Sequence, residues 1–504
     1  MIDLRKHSSR HLETKLVLPI PEAKGYTRDI HYYIFSPAQL HMSVIPEQDM
    51  LRKFQAHGRY SSPEITLDEL FDSSNALSPL VALTRYVERR LQTGSFDVSE
   101  TILIHELQAL ANSVRHDSRV EVQDCKDLVE LARKSGQYED LIQSIDEWCL
   151  LIRRLMDELR SLMVRLREKL PAGNRVLSAF AWADETISIL VEHDSLDMYL
   201  AVEPLFGKLG DSPSRLLQVS RGEASYRMEQ EYQSSAAGNA RHTSETVAYR
   251  QGVLKKWSQS VLYLTPQYSR WPKRIGGILA GAAAAIAMTF ATVASIFAET
   301  WFLKNSLQWA LIVIIAYVFK DRIKEGLRAF FNKVLPKMMA DEISAFVSPR
   351  TGRKICTNKI MIDMTDAKNV PPRIAELRRD KENPFQDMLP TEDVLHYTRY
   401  IFMHKPQKRK NDFGMLPWIN NLTLIIRIRI DDWLKEMDDP KGLVYRVDPN
   451  ADEFDQTDSD RVYHLHMIIE EYSKKDEIDD FSHYRVILNK TGIIRIEKLY
   501  NSND

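Results

Sequence analysis

The chain has 504 residues and a nearly balanced charge, with 68 Lys and Arg against 70 Asp and Glu, giving a formal net charge of −2 at pH 7. This length exceeds that of one domain, and we expect two or three domains outside any membrane segment. The balanced charge excludes a general attraction to nucleic acid, so no nucleic-acid partner is expected. Cys125, Cys149 and Cys356 are scattered without a CxxC pair. This pattern indicates neither a disulfide framework nor a zinc site and fits a reducing cytoplasm.

Residues 1–75 predict a small region of mixed strand and helix. The segments 14–20 (TKLVLPI) and 30–35 (IHYYIF) are β-branched and aromatic, and a turn at 21–25 separates them. This arrangement predicts a pair of strands. The N-terminus contains no apolar segment, so we expect no secretory signal there.

Residues 76–210 predict a helical bundle. The apolar spacing becomes helical from Ser78, and residues 142–170 alternate steps of three and four for four heptads before PAG at 171–173 ends the helix. Such spacing suits a coiled coil or a bundle helix. Further leucines widen the apolar face, which favours a bundle over an exposed two-stranded coil. These leucines are Leu150, Leu151, Leu155 and Leu162.

The next segments lead towards an apolar region. Residues 186–191 are a possible strand, and residues 211–243, which are rich in Ser, Gly and Gln, predict a flexible connector. Residues 244–272 predict a juxtamembrane helix, because the apolar side chains up to Leu264 fall broadly on one side.

Residues 273–320 predict a transmembrane hairpin of two helices. The first apolar run, 275–298, holds 24 consecutive uncharged residues, enough for a helix to cross a hydrocarbon core of about 30 Å. The second run, 301–319, contains Lys304 and Asn305, so a re-entrant or surface-lying segment is the alternative to a full span. Glu299 and Lys304 in the connection are expected to form an ion pair rather than to conduct ions.

Basic residues flank the two apolar runs on their outer sides, which predicts that both termini are cytoplasmic. They are Arg270, Lys273, Arg274, Lys320, Arg322 and Lys324. We therefore expect a multi-pass protein of a bacterial inner (plasma) membrane, with membrane lipid as a partner.

Small residues at helical spacing mark one side of the first run. Gly277, Gly281 and Ala284 would let another helix approach closely within lipid. The partner is either the second run of the same chain or another copy of the protein, and the sequence leaves both alternatives open.

Residues 321–340 predict an amphipathic stalk helix, and residues 341–504 predict an α+β domain. Within this domain, 354–364 should be extended and 411–417 should form a loop. The segment 419–437 fits strand alternation in part but keeps helical apolar spacing throughout, so it is predicted as a helix. Strands are expected at 444–447 and 462–469. The signal NKTG at 489–492 predicts a C-terminal hairpin.

No complete catalytic, cofactor-binding or metal-binding signature is present. GxxxxGK[ST], GxGxxG, HExxH and GxSxG are all missing, so no catalytic, cofactor or metal residue is assigned. His464 and His466 share a strand face with metal-pair spacing, with His483 nearby, although solvent-facing strand histidines are commoner. Two weaker patterns complete the set. Asp448, Asn450 and Asp452 imitate a calcium loop that Glu453 and Ser459 break, and the basic segment Lys405, Lys408, Arg409 and Lys410 is either a solvated loop or a contact for anionic lipid.

These observations predict a membrane-anchored α+β protein. A two-helix transmembrane hairpin would lie between a mainly helical N-terminal cytosolic region and an α+β C-terminal cytosolic domain. The first hypothesis is a self-associating scaffold or sensor, with a cytosolic protein as a further possible partner. The second is an oligomeric membrane effector or channel gated by the cytosolic domains. The third, an enzyme with a site around His464 and His466, ranks last because no catalytic signature is complete.

Overall fold

The computed structural model describes residues 2–22, 24–96, 98–171, 173–235, 241–303, 306–338, 340–349, 352–379, 392–405, 419–447, 454–473 and 478–501. The helices are α1 (Glu47–Leu51), α2 (Pro79–Thr93), α3 (Glu100–Ser135), α4 (Glu139–Arg167), α5 (Arg175–Val202), α6 (Ser212–Glu229), α7 (Arg241–Gln259), α8 (Trp271–Trp301), α9 (Leu307–Met338), α10 (Pro372–Arg378) and α11 (Asp431–Lys435). The strands are β1 (Asp3–Ser8), β2 (His11–Pro19), β3 (Tyr26–Ser36), β4 (Phe54–Tyr60), β5 (Thr265–Tyr268), β6 (Glu342–Val347), β7 (Lys354–Asp366), β8 (Asp393–Met403), β9 (Asn421–Arg429), β10 (Lys441–Val447), β11 (Phe454–Asp460), β12 (Tyr463–Ser473), β13 (Ile478–Asn489) and β14 (Gly492–Asn501).

The chain divides into two compact units that do not follow its linear order. Unit 1 comprises Met1–Gly58, Leu264–Lys410 and Leu422–Asp504, and unit 2 comprises Arg59–Tyr263 and Asn411–Asn421. Unit 1 contains helices α1 and α8 to α11 and the sheets, apart from the last two residues of β4 and the first residue of β9, whereas helices α2 to α7 belong to unit 2.

A large antiparallel sheet dominates the described part of unit 1. Its eight strands run in the order β14-β13-β12-β3-β8-β7-β6-β5. Strand β3, from the beginning of the chain, lies between β12 and β8, where Tyr33 faces Ile468 on one side and His396 on the other. The middle of the sheet therefore combines segments from both ends of the sequence.

A second sheet, β1-β2-β9-β4, packs on one face of the large sheet. Their contact is aromatic: the rings of Phe54 and Tyr397 stack with centroids 4.1 Å apart, and the Thr14 and Tyr32 hydroxyls lie 3.0 Å apart. Tyr32 and Tyr397 are fully buried. The two sheets thus enclose the core of unit 1. The opposite, outer face of the large sheet carries α10 and polar side chains.

The predicted C-terminal hairpin is present as β13 and β14. Asn489 pairs with Gly492, whose φ of +139° suits a glycine, and a Cβ on Gly492 would lie 2.3 Å from the Ser9 carbonyl oxygen. The turn therefore needs glycine for its conformation and for its close approach to the start of the chain.

In unit 2, helix α4 buries the wide apolar face that its sequence showed. It packs on α2, α3, α5 and α6, so its face has neighbours on several sides. The buried side chains include Ile145, Trp148, Cys149, Ile152, Leu155, Met156, Leu159, Leu162, Met163 and Leu166.

Helices α8 and α9 are inserted between the neighbouring strands β5 and β6 of the large sheet, and we call this helical insertion the excursion. Strand β5 precedes them and strand β6 follows them, and these two strands pair with each other. Small residues of the two helices lie in their contact, since Ala283, Ala287 and Ala316 are buried. Both ends of the excursion are consequently held side by side at one edge of unit 1.

The predicted two-span transmembrane hairpin is wrong. Among the described residues one helix is long and apolar enough to cross a membrane, the segment Gly277–Trp301 of α8. Helix α9 begins at Leu307 and reaches the charged residues from Lys320 onward after 13 uncharged residues. At about 1.5 Å per residue this stretch is about 20 Å long, short of the roughly 30 Å that a span requires.

The expected separation into an N-terminal helical region and a C-terminal α+β domain is also wrong. Strands β1 to β4 come from the first 60 residues, yet they share both sheets with strands from beyond residue 340. The runs 14–20 and 30–35 are strands, but they do not pair with each other, because β2 pairs with β1 and β3 pairs with β8 and β12.

Three local predictions are corrected by tertiary packing. Residues 186–191 lie inside α5. This helix is buried on several sides, so its sequence lacks the one-sided apolar pattern that identifies a surface helix. Much of the predicted connector is α6, where Leu216 and Val219 are buried. The segment 419–437 contains strand β9 and the short α11, because β9 is buried on both faces and its apolar residues therefore run consecutively. The calcium-like loop, Lys304, most of the basic segment and residues 411–417 lie outside the described residues.

Candidate functional site

The predicted oligomerisation residues lie along one side of α8, and the two glycines among them are not covered by described parts of their own chain. A Cβ atom added to Gly277 or Gly281 would meet no described atom within 4 Å, and Ala284 is half-buried. The buried positions Ala283 and Ala287 follow a different stripe of the helix. The glycine positions of this small-residue face are therefore open to another chain, and self-association through the face stays a prediction.

The predicted basic flanks are separated along the excursion. Arg270 directly precedes α8, and Lys273 and Arg274 are in its first turn. Lys320, Arg322 and Lys324 lie in α9. Helices α8 and α9 pack together and are joined by residues 302–306. The basic residues of α9 therefore begin about 20 Å from this connection, level with the middle of α8. The basic residues at the start of α8 and those of α9 thus lie at different levels along the helix pair.

Large apolar side chains are exposed where α8 and α9 approach their connection. Only 11% of the most apolar stretch of α8 is buried. The exposed side chains are Ile286, Met288, Phe290, Val293, Ile296, Phe297, Trp301, Leu303, Leu307, Leu311, Ile314, Ile315, Tyr317, Val318 and Phe319. We refer to this surface, within residues 286–319, as the apolar tip. A soluble monomer rarely exposes a continuous apolar surface of this extent.

A cavity of about 550 Å³ lies on the outer face of the large sheet, beside α10. Helix α10 is fixed there because Ile374 packs with Tyr33, Phe35, Ile468 and Phe481 in a small apolar cluster. The cavity is lined by Arg373, Glu376, Leu377, Arg378, Arg379, His466, Phe481, His483, Arg485, Leu499 and Tyr500. Its volume falls in the range of small-molecule sites.

Two histidines form the floor of the cavity. Nδ1 of His466 lies 3.1 Å from Nε2 of His483, and the two residues are 4% and 5% exposed. Burial, followed by the nearby Arg378 and His483, lowers the pKa of His466 to about 2, so its ring is neutral at pH 7. The expectation of a solvent-facing strand histidine therefore holds for His464, which is exposed, and fails for His466.

Arginine side chains surround the histidine pair, each with a carboxylate partner. Arg378 makes a two-bond contact with Glu392 at 2.5 and 3.0 Å. Arg485 lies 2.7 Å from Glu497, and Arg373 lies 2.7 Å from Asp479. No local pattern in the sequence marks these arginines, because only the packing of α10 on β12 and β13 brings them to the histidines.

A second histidine pair lies on the same sheet face. Nδ1 of His31 is 3.0 Å from Nε2 of His396, the Thr398 hydroxyl lies 3.1 Å from the same His396 nitrogen, and the Tyr33 ring stacks on His396 at 4.4 Å. Burial lowers the pKa of both histidines, that of His396 to about 4. The period-two spacing of His31 and Tyr33 indicates a shared face, but no sequence signal identifies β8 as the partner.

In the part of the chain that the structure describes, no group of three or more His, Cys, Asp or Glu side chains could hold a metal ion.

Comparisons of the chain with models of known protein families, with curated proteins and with solved structures found no match.

Proposed function

We propose that this protein is a membrane-attached scaffold or sensor. The apolar tip of α8 and α9 enters a bilayer, while unit 1 remains at one side of it as a binding domain. The observation that carries the proposal is the slight burial of α8, 11% over its most apolar stretch. A core helix of equal hydrophobicity would be mostly buried, and a signal sequence would lie near the N-terminus rather than at residue 277.

The pairing of β5 with β6 supports entry of the apolar tip into the bilayer from one side. The chain leaves the sheet at Tyr268 and returns at Glu342, and the two strands are hydrogen-bonded neighbours. The side is assigned to the cytoplasm, because Arg270 and Arg274 lie at the sheet end of the excursion and basic residues favour the cytoplasmic face. The earlier alternatives of an oligomeric channel and an enzyme stay predictions, since no contact among the described residues favours either of them.

The proposal is tested by membrane flotation of the full chain after an alkaline carbonate wash. The double variant Ile286→Glu, Val293→Glu places two charges on exposed apolar positions of α8, which are 51% and 59% exposed. Because a charge within the hydrocarbon costs about 3 kcal/mol, we expect the variant to leave the membrane fraction.

The matched control places the same charges on exposed leucines of unit 2. Leu150→Glu with Leu200→Glu changes positions that are 69% and 61% exposed, and this variant should float like the natural chain. A natural chain that is soluble after the wash, or an α8 variant that still floats, would contradict the proposal.

A further inference from the structure

The cavity beside α10 is lined by several cationic side chains. Its described lining contains four arginines, Arg373, Arg378, Arg379 and Arg485, against one acid, Glu376. The guanidinium groups come from two separate elements, since Arg485 lies on β13 directly opposite His466 of β12. Three of these arginines already pair with the carboxylates Asp479, Glu392 and Glu497, so an anionic ligand must compete with these carboxylates for the guanidinium groups.

Arg378 supplies the most specific signal. Its Nε and Nη2 atoms donate to Glu392, whereas Nη1 is buried and has no hydrogen-bond acceptor among the described residues. A buried donor without an acceptor is destabilising, because it has lost its hydrogen bonds to water and gained none in the protein. A ligand oxygen at this position would remove that cost, and the planar guanidinium is well suited to phosphate oxygens.

The histidine floor fits the same ligand. His466 is 4% exposed and neutral at pH 7, so it adds no charge of its own. In the tautomer in which its Nδ1 accepts a hydrogen bond from His483, its Nε2 carries the proton and can donate. His466 thus provides a neutral hydrogen-bond donor at the floor of the cavity, in addition to the charged donors of the arginines.

The rim of the cavity is apolar. Leu499 and Tyr500, at its edge, are 44% and 46% exposed, and Phe481 lies deeper, with the Arg373 guanidinium 3.8 Å from its ring centroid. A volume of about 550 Å³ exceeds what one inorganic anion occupies. The ligand should therefore carry an apolar or ring-containing part next to its anionic group.

We propose that this cavity binds a phosphate monoester, with the phosphate at Arg378 and Arg485 and the organic part against Leu499 and Tyr500. The site lies wholly within unit 1, so the proposal goes beyond membrane attachment and does not depend on it.

The test is isothermal titration calorimetry of the full chain in detergent with three probes. Phenyl phosphate should bind at least about tenfold more tightly than inorganic phosphate, because its ring buries apolar surface at the rim. Phenol should not bind measurably. Equal affinity for phenol and phenyl phosphate, or no binding of phenyl phosphate, would overturn the proposal.

Variants of one ion pair give effects of opposite sign. Arg378→Gln should weaken phenyl phosphate binding at least about tenfold, whereas Glu392→Gln, which removes the competing carboxylate, should strengthen it. Arg5→Gln is the control, since Arg5 is 70% exposed on β1 and is not among the residues that line the cavity, so binding should be unchanged. Equal loss in Arg378→Gln and Arg5→Gln would indicate adventitious surface binding and overturn the proposal.

Two further measurements complete the test. If Arg378→Gln fails to fold, Leu499→Trp blocks the rim without touching an arginine, and it should also abolish binding; retained binding contradicts the site. A short-chain phosphatidic acid below its micelle concentration separates the possible sources. Tighter binding of that lipid than of phenyl phosphate assigns the site to a lipid headgroup, and the reverse assigns it to a soluble phosphate ester.

Discussion

Nδ1 of His466 lies 3.1 Å from Nε2 of His483 across the β12–β13 pair, and both residues are almost fully buried. This contact has a thermodynamic consequence. The folded protein keeps His466 neutral, mainly because burial lowers its pKa to about 2, whereas an unfolded histidine takes up a proton near pH 6.5.

We therefore predict that unit 1 loses stability as the pH falls below about 6.5. The unfolded state then binds one more proton than the folded state, and each pH unit removes up to about 1.4 kcal/mol through His466. Thermal unfolding at pH 7 and pH 5 should show a smaller pH effect in His466→Gln than in the natural chain. His464→Gln is the control, because His464 is exposed on the same strand. Equal pH effects in all three proteins would refute the prediction.

A buried lysine gives a second prediction. Nζ of Lys53 lies 2.6 Å from Asp432 Oδ2, and the Lys53 side chain is 2% exposed. We expect Asp432→Asn to lower the free energy of unfolding by about 1–2 kcal/mol, because it leaves a buried ammonium unpaired while the Asp432 carboxylate is 39% exposed and partly screened. Urea denaturation measures this change.

The same pair sets a pH dependence. Hydrogen bonds from Lys435 and Lys53 lower the pKa of Asp432 to about 2. Its contribution is therefore present above the unfolded value near pH 4 and is lost as the pH falls towards 2, so the natural chain and Asp432→Asn should converge there. The neighbouring Asp431→Asn should cost under about 0.5 kcal/mol, since its partners Arg10 and Arg429 are 63% and 46% exposed and lie 3.5 and 3.6 Å away. A comparable loss of unfolding free energy in both variants would show that the contact with Lys53 stabilises the fold no more than the exposed ion pair of Asp431 does.

In unit 2 a single arginine neutralises two buried acids. Arg160 lies 3.0 Å from Asp184, which is fully buried, and 2.6 Å from Glu223. Arg160→Met should destabilise unit 2 by about 3–5 kcal/mol, because both carboxylates lose their guanidinium partner. Arg153→Met on the same helix, where an exposed hydrogen bond to Gln218 is lost, should cost under about 1 kcal/mol. Helical circular dichroism during denaturation measures both, and similar losses would argue against the network.

The open small-residue face predicts self-association in detergent. Gly277→Ile with Gly281→Ile should reduce the mass measured by light scattering, because branched side chains would keep a second α8 from approaching. The control is Gly326→Ile, another open glycine, on α9. A natural chain that is monomeric, or an oligomer that survives the double change, would exclude assembly through this face.

The sequence by itself determined the elements with strong local signals. The heptad spacing predicted α4, the uncharged run predicted α8, and NKTG predicted the β13–β14 turn, because in each case neighbouring residues carry the whole pattern. It also placed His464 and His466 on one strand face, since side chains in a strand alternate.

Only the tertiary structure decided which strands are partners and what the site contains. His396 and His466 meet β3 from positions more than 360 residues away, and pairing over such separations leaves no local pattern. The segment 419–437 was misassigned because a strand buried on both faces shows consecutive apolar residues, which also fit a helix. Arg378 reaches His466 only because Ile374 docks α10 on the sheet. The charge after Phe319 was visible in the sequence, but only the start of α9 at Leu307 showed how short its apolar stretch is.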